Sequence, residues 1–156
     1  MLCTIQLCAT FGLVNDAPTL DKQLCFALYS ASRATTAVYR PLLDDLGITY
    51  PQYLVMLVLW ERDGLSVSEL GDRLGLDSGT LSPLLKRIET LSLVTRERSA
   101  EDERRVEIRL TDTGRALRSA AAHVPECIFT ATGLTEDEAT TLIALVRKTT
   151  ASLRSA

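Results

Sequence analysis

The sequence predicts a mainly α fold with a small β wing, and three stretches predict it. Ser66 to Leu91 reads as two short capped helices joined by a tight turn. Val94 to Leu110 reads as a charged hairpin that follows directly. The flanking segments repeat apolar residues at helical spacing over lengths too great for strands.

The chain opens with MLCTIQLCATFGLV, which carries no charge. It lacks the basic start of a signal peptide and is too short to span a bilayer, so residues 1–18 read as an N-terminal arm, with no membrane partner and a cytoplasmic setting expected. Asn15 to Pro18 is a turn-like junction. A helix is predicted from about Thr19 to Tyr39, with Leu20, Leu24, Leu28, Ala31, Thr35 and Val38 on one stripe. Pro41 suits the first turn of a separate short helix that Gly47 ends. Thr49 and Gln52 have capping-box spacing, and the helix they start runs to about Arg62. Its core, YLVMLVLW, is apolar nearly all round and should be the buried centre of the molecule.

Ser66 and Glu69 form the next capping box, and Gly75 supplies a left-handed stop. Asp77 can cap the helix that follows. Leu81, Leu84, Leu85, Ile88 and Leu91 share one face of it, and Ser78, Gly79, Thr80, Ser82, Lys86 and Arg87 lie on the outside. A small, polar and basic outer face on the second of two short helices suits a DNA major groove. Pro83 lies within this helix, removes one internal hydrogen bond, and should tilt or kink it.

Val94–Arg98 and Arg105–Leu110 are the predicted strands, with Val106, Ile108 and Leu110 alternating inward. The tip is almost all charge. Asp102 beside Arg104 and Arg105 suits a minor groove, the carboxylate orienting a guanidinium; a solvated turn has the same composition. Thr111 starts another helix, lined by Ala116, Leu117, Ala120, Ala121 and Val124, which Pro125 interrupts or kinks. Thr135 and Glu138 box the last helix, whose apolar face is Leu142, Ile143, Leu145, Val146 and Leu153.

At 156 residues, one domain burying about two-thirds of its unfolded surface is expected. The net charge of −3 excludes a nonspecific polycation. Of the 17 Lys and Arg residues, 11 lie between Arg62 and Arg118, but so do 11 acids, so any positive surface arises by segregation. With four cysteines, no C-x-x-C pair and a single His, neither a metal site nor a cofactor is expected.

Cys25 sits early in the first long helix, where the dipole favours an anion. Tyr29 lies four residues on, and Tyr39 and Tyr50 follow. Phenolic hydroxyls can donate to a thiolate, and a thiolate in partly apolar surroundings can attack a peroxide. A lone helical cysteine is also a common small core residue, and tyrosines also simply pack. The terminal helices show stripes but no core of their own. Packing against a second copy would bury them and place two recognition helices about one DNA turn apart, so a homodimer on a pseudo-palindromic duplex is expected.

The D-x-R-R-x-x-x-x-L-T-x-x-G pattern, present as Asp102, Arg104, Arg105, Leu110, Thr111 and Gly114, resembles the wing of the MarR family. QLCFALYSASRATTAVYRPLLDDLGITYPQYLVMLVLW and LDSGTLSPLLKRIE look like its organic-hydroperoxide-sensing OhrR branch, and the likeness runs from about Lys22 to the C-terminus. The resemblance implies a winged helix-turn-helix over about 49–112, with N- and C-terminal dimerisation helices over about 19–46 and 111–155. It also implies a repressor, not an enzyme, that leaves operator DNA when an organic hydroperoxide oxidises it. By the same resemblance Cys25 is the peroxidatic residue, Tyr39 and Tyr50 bond its sulfur across the dimer, and Tyr29 is a third tyrosine near the site. The VPEC run puts Cys127 in the place of a resolving thiol, as in a two-cysteine sensor. The N-terminal arm with Cys3 and Cys8 departs from the pattern. Two other readings compete: a MarR-type repressor that binds a small aromatic ligand noncovalently, and a thiol peroxidase, for which the chain lacks a thioredoxin-like βαβ pattern.

Overall fold

The computed structural model describes residues 19–98 and 106–155. The expected arm, with Cys3 and Cys8, and the wing tip, with Asp102, Arg104 and Arg105, lie outside the described residues. A 3₁₀ turn at Leu20–Lys22 leads into α1 (Leu24–Asp44) and α2 (Tyr50–Glu61). Then come β1 (Leu65–Ser66), α3 (Val67–Leu74), α4 (Ser78–Thr90), β2 (Val94–Arg98) and β3 (Val106–Leu110). The chain closes with α5 (Asp112–Ala120), α6 (Val124–Thr132) and α7 (Glu136–Arg154). It divides between Ala37 and Val38 into two compact units, and α1 runs across that division.

Two expectations about the first helices need correction. The helix does not start at Thr19, because Gln23 is extended (φ −88°, ψ 112°) and separates the 3₁₀ turn from α1. Nor does Pro41 begin a new helix: it sits inside α1. Proline's fixed φ is itself helical, so continuation costs one hydrogen bond, the one residue 41 would have given the Ala37 carbonyl. Continuation buries Leu43 and sets up a Schellman stop. The Ile48 N–H donates to the Leu43 carbonyl at 3.1 Å and the Gly47 N–H to the Asp44 carbonyl at 3.0 Å, with Gly47 at φ +68°.

The core of the second unit is built around α2. Tyr53, Val55, Met56, Val58 and Leu59 are buried there, as an all-round apolar helix requires. The helix starts as its sequence predicts, the Thr49 N–H donating to Gln52 Oε1 at 2.7 Å. Leu65, Leu70, Leu81, Leu85, Ile88, Ile108 and Leu110 close the core from the helix-turn-helix and the sheet.

The sheet is three-stranded and antiparallel, in the order β1-β3-β2. β1 pairs Leu65 with Ile108 and Ser66 with Glu107; two residues are too short to show a period, and the sequence did not reveal it. Val94 faces Leu110 and Arg98 faces Val106 across the hairpin. Ile108 and Leu110 are buried, but Val106, at the outer end, is exposed. The helix from Thr111 stops at Ala120 and a further one, α6, begins at Val124 with Pro125 in its first turn, the position proline tolerates. Only Ala121 and Val124 of the expected stripe are buried, with Leu117 packed against the core; Ala116 and Ala120 are exposed, so the stripe is narrower than its alanines suggest. No residue of α7 is buried, and Leu142, Ile143, Leu145, Val146 and Leu153 all face outward.

A candidate nucleic-acid interface and a tyrosine cluster

The helix-turn-helix is set by local capping. The Glu69 N–H donates to Ser66 Oγ at 3.2 Å, and the Ser66 N–H to Glu69 Oε2 at 2.8 Å. Gly75 stops α3 at φ +66°. The Leu76 N–H then donates to the Gly71 carbonyl at 3.0 Å, and a Cβ on Gly71 would lie 2.8 Å from the Leu76 carbonyl oxygen, so the turn closes on bare glycine. Asp77 caps α4 twice: Oδ1 accepts from the Thr80 N–H at 2.8 Å and Oδ2 from the Thr80 hydroxyl at 3.0 Å. The backbone bond above all, then the hydroxyl, holds the Asp77 carboxyl below its ordinary range.

With Leu81, Leu85 and Ile88 buried, α4 turns Ser78, Gly79, Thr80, Ser82, Lys86 and Arg87 to the surface, as the sequence predicts. Leu84 is half-buried; Leu91, the C-cap, is exposed and does not extend the buried face. α4 runs without a break through Pro83.

The hairpin is braced partly by two residues, Arg96 and Asp63, that sequence patterning does not single out, and partly by the L-T-x-x-G run that it does. Arg96 Nε lies 3.2 Å from Glu89 Oε2, and Nη2 donates to the Ser82 carbonyl at 3.4 Å, tying β2 to the recognition helix. Asp63 Oδ1 accepts from the N–H groups of Gly64 (2.9 Å) and Leu110 (2.8 Å), while Oδ2 pairs with Arg115 at 2.9 Å. The Thr111 hydroxyl donates to the Ser92 carbonyl at 2.6 Å and accepts from the Gly114 N–H at 3.0 Å. Trp60 Nε1 donates to the Gly114 carbonyl at 2.9 Å. The L-T-x-x-G run therefore reads physically as a cap followed by a close backbone approach.

The residues proposed for redox chemistry fall in different units. Cys25 and Tyr29, four apart on α1, belong to the first; Tyr39, Tyr50 and Cys127 belong to the second. Both cysteines are free and exposed. Tyr29 is 56% exposed, and its hydroxyl accepts from Arg33 Nη1 at 3.0 Å. The Arg33 guanidinium carbon lies 5.6 Å from the Tyr29 ring centre. Tyr39 and Tyr50 are brought together, ring centres 4.5 Å apart, and Tyr53, which the sequence reading placed only in the core, joins them 5.8 Å from Tyr39. Desolvation by burial, then Tyr50, then Tyr53 push the Tyr39 phenol up to about 12; burial and then Tyr50 push Tyr53 up as well. Both remain hydrogen-bond donors at any physiological pH.

The folded-state value of Tyr39 lies above the ordinary 10.0. The neutral phenol's contribution to stability is therefore whole below pH 10 and is lost as pH climbs towards about 12. Tyrosinate absorbance titrated in the native protein should show a late step near pH 12 that Tyr39→Phe removes. A variant titration that overlays the wild type would sink the assignment.

Two short capped helices, the second exposing a small polar and basic face, with a hairpin braced against it, define a winged helix-turn-helix DNA-binding module. Residues 37–120 match the family model for the transcriptional regulator SarA/Rot. The chain belongs to this MarR-like family and is a DNA-binding transcriptional regulator of MarR type.

An organic hydroperoxide resistance transcriptional regulator of Bacillus subtilis (strain 168) is 54% identical over 114 residues, covering 73% of this chain and 78% of that one. The HTH-type transcriptional regulator TtmR of Methylorubrum extorquens (strain PA1) is 53% identical over 129 residues, 83% of this chain and 66% of the relative. Among solved structures, AbfR of Staphylococcus epidermidis matches with a TM-score of 0.72 at 37% identity, over 88% of this chain and 95% of that one. AbfR has been solved reduced on DNA and with a disulfide formed. PcaV of Streptomyces coelicolor, in complex with its natural ligand, matches with a TM-score of 0.78 at 25% identity, over 88% of this chain and 99% of that one. The relatives are transcriptional regulators, not enzymes. Among the described residues no helix is long and apolar enough to cross a membrane, and no cluster of three His, Cys, Asp or Glu is placed to hold a metal.

Proposed function

We propose that this regulator is a homodimeric repressor that senses organic hydroperoxides through Cys25. The observation that carries the reading is the 54% identity to an organic hydroperoxide resistance regulator. The exposed Cys25 thiol supports it, and so, independently, does the pairing of the Tyr39 and Tyr50 rings with each other. The outward apolar stripes of α1 and α7, with Leu24, Val38, Leu142, Ile143 and Leu145 uncovered, support a second copy of the chain as partner.

In the reduced state, α4 of each protomer enters the major groove of a pseudo-palindromic operator. Ser78, Gly79, Thr80 and Ser82 lie towards the bases and Lys86 and Arg87 towards phosphates, while the wing residues Asp102, Arg104 and Arg105 reach the minor groove. The Cys25 thiolate attacks the terminal peroxide oxygen. The O–O bond breaks, the alkoxide leaves as an alcohol after taking a proton, and Cys25 becomes a sulfenic acid. Cys127 of the partner subunit then displaces water from that sulfenic acid to form a disulfide. Tyr39 and Tyr50 donate hydrogen bonds to the Cys25 sulfur, with Tyr29 nearby. Joining α1 to α6 across the dimer moves the recognition helices and releases DNA.

Cys25→Ser should remain on operator DNA at a cumene hydroperoxide dose that strips the wild type in a gel shift. Release of that variant at the wild-type dose would falsify the sensing role. Cys127→Ser should lose the peroxide-induced covalent dimer on a non-reducing gel.

A second reading has its own observation: a cavity of about 240 Å³ between α2 and α5, lined by Tyr53, Leu57, Trp60, Glu61, Arg118 and Pro125. An apolar cleft with a few charged groups suits a small aromatic ligand acting noncovalently. Thiol alkylation separates the two readings, since it abolishes a response that runs through Cys25 and leaves a noncovalent one intact.

A further inference from the structure

Pro83 is the one feature of α4 that DNA docking by side chains leaves unused. It lies mid-helix, where proline is costly, yet the helix runs through it from Ser78 to Thr90. In an α-helix the N–H of residue 83 would bond the carbonyl of residue 79. Proline has no N–H, so the helical donor to the Gly79 carbonyl is missing, and the pyrrolidine ring presses that carbonyl away from the axis. Both Gly79 and Pro83 are exposed, on the face that carries Thr80, Lys86 and Arg87. Gly79 adds no side chain to shield its own carbonyl. A Cβ there would lie 3.0 Å from Asp77 Oδ1, the atom that caps the helix through Thr80. Glycine thus keeps both the cap intact and the carbonyl open.

We infer that the Gly79 carbonyl is a base-reading group: a backbone acceptor, freed by Pro83, that takes a hydrogen bond from the exocyclic amine of a cytosine or an adenine in the major groove. The inference rests on the reading of α4 as the helix that enters that groove. Carbonyl oxygens only accept, and in the major groove only cytosine N4 and adenine N6 present donors. The group therefore discriminates against guanine and thymine at one position of each half-site. Its position near the start of α4 is where a recognition helix meets base edges. In an uninterrupted helix the same carbonyl would be occupied internally and would carry no sequence information.

The test uses the full-length protein and Pro83→Ala, which restores the N–H and the internal bond. Since the substitution removes a helix-breaking residue, it should fold with a higher melting temperature. Wild type and variant are each used to select from a duplex pool randomised over both half-sites. The wild-type pool should prefer cytosine or adenine at one position per half-site, and the variant pool should relax at that position alone. In the selected duplex, that base is then replaced by 2-pyrimidinone for cytosine or purine for adenine, which lack the exocyclic amine. Loss of the amine should weaken wild-type binding about 5- to 10-fold and the variant by less than about 2-fold. Identical base preferences in the two pools, or equal loss with the amine-free duplex, would overturn the inference. A wild-type pool with no consensus at all would instead remove the base-reading role of α4, and the inference with it.

Discussion

Gly114→Ala should lower the stability of this protein by about 3 kcal/mol or more, a drop in melting temperature of roughly 6–12 °C. Helix propensity points the other way. Gly114 lies in the first turn of α5 without a positive φ, where alanine is ordinarily better than glycine by about 0.5–1 kcal/mol. Sterics decide the sign, because a Cβ there would lie 2.0 Å from the Leu93 carbonyl oxygen and 3.1 Å from the Leu93 carbonyl carbon. The clash is with backbone, so no rotamer relieves it; α5 must move away from the chain at Leu93. That movement strains the bond from the Thr111 N–H to the Leu93 carbonyl (3.1 Å) and the one from Trp60 Nε1 to the Gly114 carbonyl (2.9 Å). The helix carrying the hairpin's exit would then lose its seat on α2. Thermal unfolding followed by circular dichroism checks this, and a variant melting within about 2 °C of the wild type would rule out so close an approach.

Asp63→Ala should cost about 2–3 kcal/mol, and Asp63→Asn about 1 kcal/mol or less. The carboxylate serves two kinds of partner. Its ion pair with Arg115 at 2.9 Å is largely solvated, the two side chains being 30% and 55% exposed, so it contributes little. The N–H groups of Gly64 and Leu110 at 2.9 and 2.8 Å are a different matter, since Leu110 is buried and its N–H is left without this acceptor when the side chain is cut back. Asparagine keeps an oxygen for those donors and gives up only the ion pair. Urea unfolding of the two variants separates the contributions; an asparagine variant as unstable as the alanine one would show that the charge, not the backbone acceptor, is what counts. Because Asp63 joins the α2–β1 turn to the base of β3, DNA binding by the alanine variant should fall along with its stability.

Much of the helix-turn-helix was legible residue by residue. The starts at Thr49, Ser66, Asp77, Thr111 and Thr135 were all readable, because a cap is written within three residues of itself. The all-apolar α2 announced its burial, and the outer face of α4 followed from the inner one. Other features were not legible. β1 is two residues long and exists only because β3 is beside it. Pro41 reads as the first turn of a new helix because the local rule favours proline there, whereas burial of Leu43 and the Gly47 stop outweigh the one hydrogen bond lost by continuing α1 through it. Tyr53 passed for core packing, and only its place beside Tyr39 ties it to the tyrosine cluster. Asp63 and Arg96 looked like ordinary surface charge, since their partners Leu110, Arg115 and Ser82 lie far away in sequence.

By itself the sequence determined which segments are helices, where most of them begin, which face of α4 turns outward, and the family to which the chain belongs. Those properties depend on hydrogen bonds and periodicities spanning a few residues, and family patterns are written in the same short runs. Only the tertiary structure decided how the wing is fastened, through Arg96 on α4, Asp63 under β3 and the bare backbone of Gly114 against Leu93. It likewise decided that Tyr39, Tyr50 and Tyr53 share one cluster. Such contacts join residues 11 to 47 positions apart, and no local propensity encodes them. They form because burying α2 within a shell of helices and sheet forces those groups together, where each polar atom must then find a partner.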